Sequence, residues 1–446
     1  MTKYKEEKKM AKKSTKLEAL QKVFQENAVS LDSIECNDIL IQKIKKNADA
    51  IPDYRHPSYV KHHLGDILMI VFFAMLGNAN EWKEIESFAK KKEAWLRKYL
   101  ELPFGIPTDD TYRIVMGMIA IESFFHTTVQ LLITTVDGML TLAGKEDTIY
   151  EKGITAIDGK ESRGSRRNGG NGVEGKALQT LNVYSADYGI CIEQKFIEEK
   201  TNEIPAAQEV LSLMDLSKTI VTADAMNCQK DTAAVIIKQK GEYVLALKGN
   251  QPLFYEEVKN FFDKEQKEEL KKKETCYKKT TELEQGGLVI REYYITEDVD
   301  WYSEKKKWKK LKSFGMVQKT VRKKDGSEKK EGRYYICSID EDVEEFARAV
   351  REHWRVENNL HWQLDVTFQD DKNKSMAKTG AKNLQMMKKL ALAILQLIKE
   401  SYKKSMKLIR YELSLDYENE VEKILSILDI GNIEKVLQSV EKSFQK

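Results

Sequence analysis

Cysteine and proline are both scarce: five and six residues in a chain of 446. The cysteines (Cys36, Cys191, Cys228, Cys276 and Cys337) are scattered, odd in number and form no C-x-x-C pair. That excludes a disulfide framework and a zinc ribbon, and it points to a reducing compartment. So few prolines leave no proline-rich linker. Long apolar runs are missing too. The longest, "ILMIVFFAML" at 67–76, falls well short of the roughly 18 residues that suggest a membrane span and reads as a buried helix. The N-terminal "MTKYKEEKKMAKKSTK" lacks the apolar core of a signal peptide. Net charge is nearly absent: 74 basic residues against 71 acidic ones give +3. A nucleic-acid partner therefore has to be argued from local basic patches. No P-loop or Rossmann fingerprint occurs, which sets a small-molecule enzyme of those kinds aside. Together these absences predict a cytoplasmic protein with no membrane partner.

What is present is a change of grammar along the chain. Residues 1–60 are polar and Lys-rich, with one helical stretch near 17–29, and the lysine run reads as a solvated tail. Residues 61–148 carry apolar positions at three- and four-residue spacing throughout, and "GIPTDDTYRIVMGM" has the capping residues of a helix start, so this segment is an all-α domain. At Gly153 short β-branched runs begin. "GITAIDG", two strands about Asp187-Tyr188-Gly189, a helix at "NEIPAAQEVLSLMDL", "KTIVTADA", a helix at "CQKDTAAVIIKQK" and "EYVLALKG" give the order β-β-β-α-β-α-β over 149–274. A hairpin leading into crossovers predicts an α/β fold with a mixed sheet covered by helices. Residues 275–341 read as a β-rich insertion, with an Asp-Gly hairpin signal in "KKDGSEKK". A long helix follows over 342–375, and 376–446 is again helical.

Two aspartates close short strands in this layout: Asp158 in "TAIDGK" and Asp224 in "VTADAM". Ligands of open α/β sheets sit at the carboxyl ends of strands. If the first and fourth strands are neighbours, both carboxylates face one crevice, and a helix across the sheet can add Glu357 from "HWRVENNLHW". Three carboxylates from separate elements suit hard cations that keep several waters, and two such ions can clamp a phosphodiester. The competing reading of either aspartate is a helix cap or turn residue. Gly159 beside Asp158 allows a close approach by backbone or ligand. His353 and His361, eight residues apart with no cysteine nearby, are weak zinc candidates, and His361 with Trp362 reads as helix packing.

"AIDGKESRGS", "VTADAMNCQK", "YVLALKGNQ" and "HWRVENNLHWQLDVTFQDD", in that order, resemble the H-repeat-associated group of bacterial insertion-sequence DDE transposases. The helical front resembles that group's associated domain through "FFAMLGNANEWKEIESFAKKKEAWLRKYLELPFGIPTDDTYRIV". The resemblance spans roughly 50–400. It implies an RNase H-like catalytic core with a catalytic triad of Asp158, Asp224 and Glu357. It also implies two Mg²⁺ ions per site (Mn²⁺ as a substitute), double-stranded DNA as partner, and a homodimer on DNA associated with the bacterial nucleoid. The implied activity is cleavage at the element's ends followed by strand transfer. A DNA-binding remnant without transposition, or a nuclease that cuts without joining, are the alternatives. The wider superfamily's Tyr, Arg and Lys around the Glu are replaced here by His353, Val350 and Leu364. Asp365 is the reserve candidate for the third ligand.

DNA contacts are expected from basic clusters. Arg163, Arg166 and Arg167 lie in a glycine-rich loop after Asp158. Lys305, Lys307 and Lys310 surround Trp308 in "KKKWKKLK". Lys372 and Lys374 follow the long helix. Lys248 and Asn250 sit at a strand end near the crevice, and His353 lies one turn before Glu357. Trp301 and Trp308 are candidates for stacking on an unpaired base, with a core or surface role as the stronger competing reading of both. The competing reading of every basic run is a solvated face.

Overall fold

The computed structural model describes residues 13–27, 29, 34–165, 177–197, 202–284, 287–372 and 378–444. The chain divides into two compact units. The first comprises Met1–Glu151, Asp187–Ile190 and Gln363–Lys446, and the second Lys152–Ala186 and Cys191–Trp362.

The first unit is helical. Its elements are α1 (Lys16–Glu26), α2 (Ile39–Asp49), α3 (Leu64–Leu76), α4 (Trp82–Lys91), α5 (Glu93–Leu96), α6 (Asp109–Met118) and α7 (Glu122–Leu142) from the front of the chain. Five more, named below, come from its rear. α1 opens with a capping box, the Thr15 hydroxyl accepting from Glu18 N–H while the Glu18 carboxylate accepts from Thr15 N–H. It is the helical stretch expected near 17–29, and it buries Leu17, Leu20, Val23 and Phe24 in the core. α3 is the long apolar run, and all of its residues are buried, as an all-round hydrophobic helix requires. Thr108 caps α6 through Thr111 N–H, the start expected from the Thr-Asp-Asp signal. No single helix among the described residues is long and apolar enough to cross a membrane.

The second unit is built on one sheet. Its elements are β1 (Gly153–Ser162), β2 (Leu178–Ser185), β3 (Ile190–Ile197), α8 (Glu203–Ser212), β4 (Thr219–Ala223), α9 (Lys230–Lys238), β5 (Glu242–Leu247), α10 (Pro252–Phe261), α11 (Lys264–Leu270), β6 (Tyr277–Glu284), β7 (Gly287–Thr296), β8 (Ser313–Arg322), β9 (Glu328–Cys337) and α12 (Val343–Arg355). A π-helical segment, Val356–His361, continues α12. After it come the first unit's remaining helices: α13 (Trp362–Val366), α14 (Lys378–Tyr402), α15 (Met406–Leu415), α16 (Tyr417–Ile427) and α17 (Ile430–Phe444). α14 packs on α1, α3, α6 and α7, and the Asn383 amide donates to the Met116 and Ile119 carbonyls at the end of α6. Front and rear helices thus share one unit, although the sequence separates them by more than two hundred residues.

The strand order is β3-β2-β1-β4-β5-β9-β8-β7-β6. β1 runs antiparallel to β2 and parallel to β4, and β4 runs parallel to β5. The mixed sheet expected from the sequence is therefore present, with β1 and β4 as neighbours. The β-rich stretch at 275–341 is not a separate layer. β9 pairs antiparallel with β5, and β9, β8, β7 and β6 extend the same sheet. The Asp325-Gly326 turn joins β8 to β9, with Gly326 at φ +83°, a conformation glycine adopts without steric cost. Ile157, Val183, Val221, Leu245 and Ile336 from neighbouring strands meet Ala207, Leu211 and Ile236 from α8 and α9 in the core.

Candidate active site

The parallel register of β1 and β4 ends with Ile157 opposite Ala223. Asp158 and Asp224 are the next residue on each, so the two carboxylates stand side by side where β4 ends; Asp158 does not close its strand as expected, because β1 runs on to Ser162 against β2. Asp224 turns at once into a short 3₁₀ segment, Ala225–Asn227. Its Oδ1 accepts from the backbone N–H of Met226 at 3.1 Å and of Asn227 at 3.4 Å. The cap reading of Asp224 is therefore correct in geometry, and it leaves the second oxygen for other work. Across the antiparallel ladder Asp158 pairs with Asn182.

The third carboxylate arrives on the π-helical segment. Such segments are rare and cluster at functional sites. Here the segment carries both Glu357 and His361. The His361 Nδ1 lies 3.2 Å from Glu357 Oε2 and 3.5 Å from Asp158 Oδ2. Its Nε2 lies 3.1 Å from the Asn182 amide nitrogen. An amide N–H donating to Nε2 leaves the proton on Nδ1, facing the carboxylates. One ligand atom each from Asp158, Glu357 and His361 lies within 4.8 Å of the others. His361, read from the sequence as packing, is thus part of the cluster. The only signal for it was its place four residues after Glu357 on a helix. Asp365, the reserve candidate, belongs to α13 of the first unit and is not part of this cluster.

The electrostatics are those of acids crowded together. Burial pushes the Asp158 carboxyl up to about 7, and the charges of Asp224, Glu203 and Glu357 add to the shift. Glu357 is exposed and is held below the usual carboxylate range by its hydrogen bond from His361. Glu203 at the start of α8 was not foreseen. Its pKa is raised, chiefly by burial, while a hydrogen bond from the Asn227 amide opposes the shift. A donor set of carboxylates and an imidazole, mutually repelling and within a few ångströms, fits a divalent cation.

A cavity of about 410 Å³ opens beside this cluster, lined by Asp158, Asp224 and Glu357 together with Lys248, His353, Arg333 and Trp354. Lys248 is exposed at the end of β5. Asn250, itself exposed, donates its amide to the Ala225 carbonyl at 2.5 Å and braces the turn behind Asp224. The His353 Nδ1 sits 3.0 Å from the Thr222 hydroxyl, and burial lowers its pKa to about 4, so it is neutral and offers no charge to a phosphate. Arg333, another cavity residue the sequence reading passed over, stacks on Trp354 at 4.7 Å from the ring centroid.

The remaining candidates are scattered. Lys305 pairs with Asp300, Lys307 with Glu304 and Lys310 with Glu242. Trp308 is 2% exposed and packs on Phe254, so of its two readings the structure gives the core role and leaves its ring no face for a base. Trp301 is partly exposed and stacks on Phe261. Arg163 is exposed in the turn after β1, and Lys372 is exposed in a turn of the first unit. Arg166, Arg167 and Lys374 lie outside the described residues.

Residues 149–395 match the Transposase DDE domain, and residues 47–131 match the family described as DDE_Tnp_1-associated. The "Putative transposase YncI" of Escherichia coli O157:H7 is 35% identical over 80% of this chain and 88% of its own length. The "H repeat-associated putative transposase YhhI" of Escherichia coli K12 is 34% identical over 80% of this chain and 90% of its own. A solved piggyBac transposase synaptic complex with hairpin DNA is matched over 92% of this chain and 81% of that one, at 12% identity and a TM-score of 0.37. The chain belongs to the DDE transposases, within their H-repeat-associated group. That membership brings DNA as partner and a divalent metal as cofactor.

Proposed function

We propose that this protein is the transposase of a bacterial insertion sequence, which cuts at the element's ends and joins the freed 3′-OH to target DNA. The observation that carries the proposal is the convergence of Asp158, Asp224 and Glu357 on one cavity that also holds Lys248 and Arg333. The strand succession β3-β2-β1-β4-β5 with helices covering it supports an RNase H-like core. In this reading β6 to β9 are the insertion between the last core strand and the helix that carries the Glu.

Asp158, Asp224 and Glu357 would hold Mg²⁺ or Mn²⁺, two ions per site, with His361 beside them. Bound there, the metal supplies charge neutralisation and activation of the attacking oxygen of an in-line displacement. Everything else falls to the chain. Strand register fixes the two aspartates, and the turn capped by Asp224 holds that carboxylate still. His361 orients Glu357 through Nδ1 and is itself oriented by Asn182. Lys248 and Arg333 provide cationic contacts for the phosphodiester backbone, and Asn250 supports the turn between them and Asp224. Arg163 stands near the end of β1 as a further phosphate contact. Transposition joins two ends, so the acting species is a homodimer on DNA in the bacterial cytoplasm.

The test is Mg²⁺-dependent cleavage and joining on DNA that carries the terminal repeats flanking the coding sequence. Asp158→Ala, Asp224→Ala and Glu357→Ala, each shown to be folded, should bind the ends and lose both steps. The expected loss is on the order of 10³-fold, the scale on which removal of a preorganised electrostatic group acts. Cleavage without joining in the wild type would favour a nuclease. End binding with no cleavage in Mg²⁺ or Mn²⁺ would favour a DNA-binding remnant. Sedimentation of the complex with end DNA reads the dimer.

A further inference from the structure

We infer that Glu203 is a fourth carboxylate of this site, a positioning residue that acts on Asp158 and Asp224 through Gly159 and Asn227. The inference rests on the metal-site reading above.

Glu203 is the first residue of α8, whose cap is Asn202. An acidic residue in a first turn is favoured by the helix dipole, and that alone would let it face water. Instead it is half-buried against the strand ends. Its Oε1 accepts from the Asn227 amide at 2.6 Å, and the same amide nitrogen lies 3.4 Å from Asp224 Oδ1. Asn227 is fully buried, so one rigid amide ties Glu203 to the second aspartate of the triad.

The contact with the first aspartate is through a missing side chain. A β-carbon built at Gly159 would overlap the Glu203 carboxylate, with Oε2 and Cδ as its nearest atoms. Any side chain at 159 would therefore push Glu203 out of place. This gives the glycine that follows Asp158 a specific task, which is to let a fourth acid close in beside Asp158 and Asp224. The charge of Glu203 is among those that raise Asp158, after burial and after Asp224. Packing another carboxylate against two like charges is unfavourable by itself and becomes favourable when a cation is shared among them. The arrangement is what a site needs if the outer acid strengthens the hold of the inner ones.

The experiment compares Glu203→Gln, Gly159→Ala, their double variant and Asp158→Ala in the full chain, with folding checked by circular dichroism. Mn²⁺ binding without DNA is read by electron paramagnetic resonance, and the Mg²⁺ concentration for half-maximal cleavage is read separately. Glu203→Gln keeps the shape and removes the charge. It should weaken Mn²⁺ binding by about 10- to 100-fold, the usual cost of losing an outer-shell partner, and high Mg²⁺ should restore cleavage. Gly159→Ala should do the same, and the double variant should be no worse than either single one. A purely structural glutamate would not be rescued by the ion. If Glu203→Gln binds Mn²⁺ as the wild type does while Asp158→Ala does not, the inference is overturned and the site reading stands. If Asp158→Ala also binds normally, the metal-site reading fails and takes the inference with it.

Discussion

Each unit holds an aspartate withdrawn from water, fully in the helical unit and partly in the sheet unit, and the two solve the same electrostatic problem in opposite ways. In the helical unit Asp370 is 1% exposed and faces cations and donors supplied by the fold. Lys388, itself fully buried, sits 3.3 Å away, and the Gln385 amide donates to the other oxygen at 3.1 Å. In the sheet unit Asp158 is surrounded by Asp224, Glu203 and Glu357, opposed by a backbone hydrogen bond at Gly159 and by the His361 imidazole, with no Lys or Arg ion pair among the described residues. Buried acids are stable when paired and satisfied, and expensive when not. A fold that completes the first pair from its own residues and leaves the second incomplete is a fold in which one carboxylate is architecture and the other awaits a partner. Nearby, Arg410 makes the same point for the helical unit: it is buried, and its guanidinium donates to the carbonyls of Met75, Ala79 and Thr367.

Removing the internal cation should therefore hurt most. Lys388→Met leaves Asp370 buried with its ion pair gone, and it should destabilise the protein by about 3–5 kcal/mol in denaturant unfolding. Lys388→Met combined with Asp370→Leu should recover most of that loss. If the double variant is as unstable as the single one, the pair was not what compensated Asp370, and the contrast between the units fails. Removing the uncompensated acid should do the reverse. An unfolded aspartate gives up its proton at about pH 4, while folded Asp158 keeps its proton to about 7. This group favours the fold below about pH 4, and that contribution is lost as pH rises to about 7. Without metal, Asp158→Asn should then be the more stable protein at pH 8, by on the order of 3 kcal/mol, and nearly equal to wild type at pH 4. Mg²⁺ should stabilise the wild type by mass action and leave the variant unmoved. A wild type that is the more stable at pH 8 without metal would show that the carboxylate is compensated after all.

The features legible in the sequence were those with a local cause. Short β-branched runs leading into Asp marked β1 and β4, although β1 runs four residues past its Asp, and the succession of strands and helices from β1 to β5 followed from periodicity alone. Within the β-rich stretch β6 carries no strand signature of its own, because "YKKTTELE" is an edge strand with charged residues at half of its positions and no apolar face to betray it. The union of front and rear helices was illegible because packing between distant segments leaves no mark in either one. The site shows the same divide. Strand-end aspartates announce themselves, whereas His361 and Glu203 are recruited by a π-helical turn and by a glycine's open space, which only the folded backbone creates. Trp308 kept two readings open because its neighbours are lysines. Trp308 and Leu311, three residues apart, both turn inward, and the lysines between and around them turn to water.

The smallest test concerns those lysines and extends the contrast to the surface. Lys305, Lys307 and Lys310 each have a carboxylate partner within the chain, whereas Lys248 forms no ion pair among the described residues and borders the cavity. A cation already neutralised at home releases little on meeting a phosphate, while an unpaired one exchanges a full counterion. Lys248→Ala should weaken binding to end DNA and lower the slope of log affinity against log salt by about 1. Lys307→Ala, whose partner Glu304 is exposed beside it, should change that slope by much less. Equal slopes for the two variants would mean that Glu304 gives up its lysine to DNA, and that the "KKKWKKLK" turn is a DNA-binding face in spite of its ion pairs.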